Sequence, residues 1–267
     1  MKSTKTANVG IAVLHLDLGL NSRAYVNAVS DITEDLKKAG AGLIILPPPI
    51  QPLRDFIVGK RKFQSYKSYL NSLLSKLLDV SSKTHYSILV SPVLKRAGNR
   101  LYMTSALIKP LREIVFKGKK MVSYANAIDV GRDVELIDLG TIRLCNLILN
   151  DIEYSELARV CALRGADVII SVQPPTLTMM NQEVLISLSI SRAYENGIPL
   201  ISLGGYVGQV IQQPTFFIKS DGSIADMANT FEVDAFVAEI PRKEVVFAKE
   251  ALARKYIKLF NDIKKED

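Results

Sequence analysis

The chain has 267 residues, of which 48% are hydrophobic and 23% charged, the composition of an ordinary globular protein able to bury a large core without disulfides. Two histidines, His15 and His85, and two cysteines, Cys145 and Cys161, exclude a disulfide framework and a metal site built on clustered ligands. The net charge of +7 and pI near 9.3 permit weak attraction to polyanions without establishing it.

Met1 to Asn8 is short and polar, with no apolar run of leader-peptide length. Val9–Leu16 then reads as a buried strand. Asn21 to Lys38 is a polar-capped amphipathic segment that stops at Gly40 before Leu43-Ile44-Ile45-Leu46. The same grammar returns twice. Ser155 to Arg164 stops at Gly165 before Val168-Ile169-Ile170, and Asn181 to Asn196 stops at Gly197 before Ile198-Pro199-Leu200-Ile201. Ser or Asn accepts the free N–H groups at a helix start, and glycine takes the left-handed cap at its end. Helices alternating with continuous apolar strands predict an α/β layered fold.

Between these units the sequence predicts a surface loop over Gln51 to Ser65, rich in Arg, Lys, Phe and Tyr. Strands are predicted over Ser87–Val93, Met103–Ile108, Ile114–Phe116 and Thr141–Leu149. Phe216–Ile218 and Ser223-Ile224 flank Ser220-Asp221-Gly222 as a hairpin. Phe236–Ile240 is a last strand, and Lys243 to Lys258 a basic helix. The longest apolar runs are strand-length, far below the roughly 20 residues of a membrane span. The expectation is a single domain over 1–267 that is cytoplasmic, with both cysteines reduced and Cys161 a small core residue.

Taken in order, these segments resemble the nitrilase superfamily of carbon–nitrogen hydrolases over nearly the whole chain. Val9 to Leu14 resembles its first strand. Gly42 to Pro47 is similar to the strand leading to its catalytic glutamate, and Tyr102 to Ile108 to its Tyr-Asn-Ser-Ala strand, with Thr104 in place of Asn. Glu113 to Lys120 resembles the strand carrying its catalytic lysine. Asn150-Asp151-Ile152-Glu153-Tyr154-Ser155-Glu156-Leu157 resembles the nucleophile elbow, and Arg192 to Gly197 the later Arg-Ala-x-Glu-Asn motif. The resemblance implies an α-β-β-α sandwich that pairs with a second copy, as a homodimer or higher homo-oligomer, into a four-layer assembly without a cofactor.

The family reaction needs a cysteine thiolate, a glutamate base and a lysine that stabilises the oxyanion. The resemblance places Leu149 at the nucleophile and Pro48 at the base. The second glutamate falls within Val122–Asn126, where the chain has no acid. Only the lysine survives, as Lys120, with Lys117 or Lys119 in that slot under a shifted alignment. Cys145 is four residues before Leu149, about 13 Å earlier on an extended strand, and is a poor substitute.

The expected function is therefore a nitrilase-fold pseudoenzyme that binds a small ligand or a protein partner, with Lys120, Asn150, Asp151 and His15 as candidate contacts. Each has a plainer reading: Lys120 as one of several surface lysines, Asp151 as a brace of the turn, and His15 as a bonded strand-end residue near Asp17. Arg192 and Glu195 are a candidate ion pair, and Gly204 to Gly208 a tight loop rather than a phosphate cradle. Two alternatives stand beside this: a hydrolase of amide bonds with a rebuilt site, and a basic nucleic-acid-associated protein. The last rests only on charge and on Arg54–Tyr69, so nucleic acid and membrane are the less favoured partners.

Overall fold

The structure, a computed structural model, describes residues 9–39, 41–122, 128–178 and 180–241. In chain order the elements are β1 (Val9–His15), α1 (Ser22–Lys38), β2 (Ala41–Leu46), α2 (Gln51–Ile57), α3 (Phe63–Thr84), β3 (Ser87–Ala97), β4 (Arg100–Lys109), β5 (Glu113–Lys117), β6 (Leu136–Asp138) and β7 (Arg143–Ile148). A 3-10 turn (Leu149–Glu153) follows, then α4 (Ser155–Leu163), β8 (Val168–Val172), α5 (Gln182–Asn196), β9 (Leu200–Leu203), β10 (Gly205–Val207), β11 (Ile211–Gln213), β12 (Thr215–Ile218), β13 (Ile224–Ala228) and β14 (Asp234–Ile240).

Two six-stranded sheets carry the fold, in the orders β14-β1-β2-β3-β4-β5 and β13-β12-β9-β8-β7-β6. Three apolar layers follow from the alternation of side chains along the strands. Ile11, Val13, Leu43 and Ile45 meet Leu144, Val168, Ile170 and Ile201 between the sheets. Residues of opposite parity, such as Ala12, Leu14, Ile44 and Leu46, pack outward against Tyr25 and Val29 of α1 and Leu70, Leu73 and Leu77 of α3. On the far side Cys145, Leu147 and Ile169 pack against Ala158 of α4 and Leu185 and Ala193 of α5. The order helix, sheet, sheet, helix is the α-β-β-α sandwich.

The repeated helix grammar is visible in the caps. Asn21 Oδ1 accepts from the N–H groups of Arg23 and Ala24, and Asn181 Oδ1 from that of Glu183. Gly165 and Gly197 take positive φ values of 82° and 55° at the ends of α4 and α5. Gly204 permits a close crossing: a Cβ there would sit 2.1 Å from the Gln213 carbonyl oxygen. It leads into the β10–β11 hairpin, which occupies the predicted tight loop.

Three expectations are corrected. Gln51 to Ser65 is not a loop: it holds α2 and the start of α3. Pro52 suits the first helical turn, where its missing N–H leaves nothing unbonded. Tyr66, Leu70, Leu73, Leu74, Leu77 and Val80 form the buried stripe of α3, a helical period masked by its basic, polar opening. Thr141–Leu149 is trimmed to β7 because Leu149 turns the chain at φ 56°. The cysteines are joined, Cys145 on β7 to Cys161 on α4, with Cα atoms 5.7 Å apart. The basic helix expected over Lys243–Lys258 lies outside the described residues.

Candidate functional site: the elbow after β7

The turn Leu149–Glu153 leaves the end of β7 between the sheets and enters α4. Its backbone is held almost carbonyl by carbonyl. Lys120 Nζ donates to Ile148 O at 2.5 Å, Gln173 Nε2 to Leu149 O at 2.7 Å, and Tyr154 N–H to Asp151 O. Arg192, reaching in from α5, donates to Ile152 O at 3.1 Å and Glu153 O at 2.9 Å. Its remaining arm reaches Glu195 at 3.3 Å, so this pair also braces the turn.

Asp151 is fully buried. Its carboxylate accepts from the backbone N–H groups of Met121, Val122 and Ile148, at 2.8 to 3.2 Å, and from Lys120 Nζ at 3.2 Å. Donors from two separate stretches of the chain, 120–122 and Ile148, converge on it, which fits a brace of the turn. A buried carboxylate is tolerated only with such a set of donors.

Lys120 is not a surface lysine; it is 4% exposed. The segment that carries it is laid against β4: Thr104 Oγ1 donates to Lys117 O, and Lys120 N–H to Met103 O. Its ammonium donates to Ile148 O, Asn150 Oδ1 and Asp151 Oδ1, at 2.5, 2.5 and 3.2 Å. An ammonium has three donors, and all three are used here. Burial lowers its pKa, and the Asp151 carboxylate pulls it back up. Of its neighbours, Lys117 pairs with Glu135 at 2.7 Å and Lys119 is exposed, with its Nζ 4.9 Å from the centre of the Tyr102 ring. Only Lys120 reaches the elbow.

Leu149 stands at the tip of the turn in the left-handed region, an unusual place for a branched side chain that costs about 1 kcal/mol. Its side chain is half-buried and packs on the α1–α3 layer. It offers no lone pair and no proton. Two polar ends flank it without a partner among the described residues: Asn150 Nδ2 and Gln173 Oε1. Their orientation is fixed, because Asn150 must turn its oxygen to Lys120 and Gln173 its nitrogen to the Leu149 carbonyl.

Pro48 is buried just past β2, and no hydrogen bond joins it to this cluster among the described residues. His15 stands apart. Its Nε2 donates to Thr230 O and its Nδ1 meets Thr215 Oγ1, both at 2.9 Å. A neutral imidazole that donates from Nε2 to Thr230 O can accept the Thr215 hydroxyl proton at Nδ1, while Thr215 Oγ1 also accepts the Gly204 N–H. Burial lowers the His15 pKa in keeping with that state. Asp17 turns instead to the N–H groups of Gly19 and Gly208. The elbow thus gathers Lys120, Asn150 and Asp151 and leaves His15 out. It adds Gln173 and the carbonyl bonds of Arg192, which no local sequence pattern marks.

Among the described residues no group of His, Cys, Asp and Glu could hold a metal ion, and no helix is long and apolar enough to cross a membrane. No curated protein sequence matches the chain at a significant level. Solved structures do. A cysteine-to-alanine variant of the Nesterenkonia AN1 amidase from the nitrilase superfamily aligns with a TM-score of 0.75 at 17% identity, over 96% of this chain and 97% of that one. A similar variant of the Nesterenkonia sp. AN1 amidase in complex with butyramide gives 0.73 at 16%, over 96% and 97%. At this identity the likeness speaks for the fold alone. The carbon-nitrogen hydrolase profile matches residues 10–250, and on that match over a nitrilase-type sandwich the chain belongs to the carbon-nitrogen hydrolase family.

Proposed function

We propose that this chain is a nitrilase-fold binding protein that does not run the amide or nitrile hydrolysis of its family. The observation that carries the reading is the elbow: an aliphatic side chain, Leu149, at its tip, beside a lysine whose three donors are already taken by Ile148, Asn150 and Asp151. Covalent catalysis needs a nucleophile and a free donor aimed at the developing oxyanion. With Leu149 at the nucleophile position and Pro48 at the base, neither proton nor acyl group has a carrier.

Two features support binding in place of turnover. Asn150 Nδ2 is a buried donor and Gln173 Oε1 a buried acceptor, both flanking Leu149. A carboxamide or a protonated carboxyl group matches that pair, and the solved relative in complex with butyramide makes amides the first ligands to try. Exposed apolar side chains on α4 and α5, Leu163, Val184 and Tyr194, support self-association through that face.

Ammonia release from aliphatic amides and nitriles tests the reading. The purified protein is expected to release none above a protein-free control. Turnover that disappears in Lys120→Met, under conditions where that variant is folded, would replace it with a hydrolase whose site has been rebuilt.

A further inference from the structure

Two segments of this chain are strongly basic. Residues 54–67 hold five cations against one acid, Asp55, and residues 95–100 hold three cations and no acid. Together these twenty residues carry a net +7, and the rest of the chain sums to zero. Far apart in sequence, the two segments are neighbours in space. The Arg96 guanidinium lies over the Phe63 ring, 4.4 Å from its centre, and the Leu94 N–H donates to the Tyr66 hydroxyl at 3.0 Å. Phe56, Phe63 and Tyr66 interlock at 6.0 to 6.4 Å and fix the α2–α3 corner beneath them. Lys95 is seated over Phe116 at 4.3 Å.

The one acid within these segments, Asp55, faces Arg61 at 3.8 Å, and Asp129, which accepts the Leu101 N–H, lies close to Arg100. Among the described residues Lys60, Lys62, Lys67 and Arg96 are exposed and form no ion pair, and exposed Arg100 feels only Asp129 nearby. Concentrating like charge on one rim works against folding unless something of opposite charge is meant to meet it. Seating cations on ring faces also removes part of the entropy that long side chains lose on binding.

We propose that this rim, formed by the α2–α3 corner and the β3–β4 hairpin, binds the phosphate backbone of a nucleic acid without regard to sequence. Arginine forks match phosphate oxygens in pairs. An anionic membrane fits less well, because Val58 is the only large apolar side chain of the rim that is exposed and could enter a bilayer. The proposal does not depend on the elbow and stands whether or not the chain hydrolyses amides.

The test is fluorescence anisotropy with labelled single- and double-stranded oligonucleotides of about 20 nucleotides, across a salt series starting near 50 mM. The variant replaces Lys60, Lys62, Lys67 and Arg100 with Gln, leaving Arg96 on its ring. A control replaces Lys83, Lys109, Arg112 and Lys219. Thermal melts by circular dichroism check that both fold. The wild type is expected to bind, with affinity falling steeply as salt rises. The rim variant is expected to lose at least about tenfold in affinity, with a log–log salt slope shallower by about 3, at 0.7 to 0.9 per phosphate contact. The control stays near wild type. No binding by the wild type, equal losses in the two variants, or binding to phosphatidylserine vesicles with none to oligonucleotides would each overturn the proposal.

Discussion

Replacing Lys120 with Met keeps the length of the side chain and removes its ammonium. Three acceptors each lose one donor: Ile148 O, Asn150 Oδ1 and Asp151 Oδ1. Breaking a buried ion pair from one side costs about 3–5 kcal/mol, because the remaining charge is left in a poorly solvating interior. Here Asp151 keeps the N–H groups of Met121, Val122 and Ile148, and the desolvation that lowers the lysine's pKa is relieved. Both effects push the cost to the lower end, about 3 kcal/mol. For a chain of this size that corresponds to a melting temperature lower by about 6–12 °C. Urea unfolding followed by far-UV circular dichroism reads it as a shifted midpoint at an unchanged slope. A loss below about 1 kcal/mol is what an exposed pair gives, and would refute the reading of Lys120 as a buried clasp of the elbow.

Other outcomes follow from the same geometry. His15 has a lowered pKa, so between about pH 6.5 and its folded value the unfolded chain binds a proton that the folded chain refuses. Stability is therefore full above pH 6.5 and falls as the pH drops below it. His15→Gln can keep both bonds, to Thr230 O and Thr215 Oγ1, and should flatten that component in urea midpoints taken at pH 7.5 and pH 5; an unchanged pH dependence would count against it. Asn181→Ala removes the acceptor for the Glu183 N–H at the start of α5 and should cost about 1 kcal/mol in the same assay. Leu149→Cys puts a thiol at the elbow tip beside a lysine whose three donors are taken, so on the proposed reading no ammonia should be released from amides. Turnover by that single variant would mean that the Lys120 ammonium can leave its three partners.

Most of the sandwich is legible in the sequence where a local rule decides the element. The Asn caps at Asn21 and Asn181, the glycines at 165 and 197, and the apolar runs 43–46 and 168–172 each follow from chemistry within a few residues. The α3 helix is missed because its opening, Phe63 to Lys67, reads as a basic loop, while its apolar stripe becomes clear only from Leu70 onward. The elbow shows the same divide. Its sequence marks Asn150, Asp151 and Lys120, but the contacts of Gln173 and Arg192 with its carbonyls join residues 24 to 40 apart. Such contacts depend on tertiary placement. The Cys145–Cys161 bond is illegible for a related reason: only the packing of α4 on β7 brings the two sulfurs together.

The reading of the elbow depends on one physical state, a Lys120 ammonium bonded on all sides by the protein. Heteronuclear NMR on protein carrying ¹⁵N-labelled lysine observes that state. A single ammonium resonance protected from exchange with water, absent in Lys120→Met and titrating below the ordinary lysine value, is the expected result. Lysine ammonium signals that all exchange rapidly with solvent, with no resonance lost in the variant, would contradict it and reopen the elbow to a catalytic role.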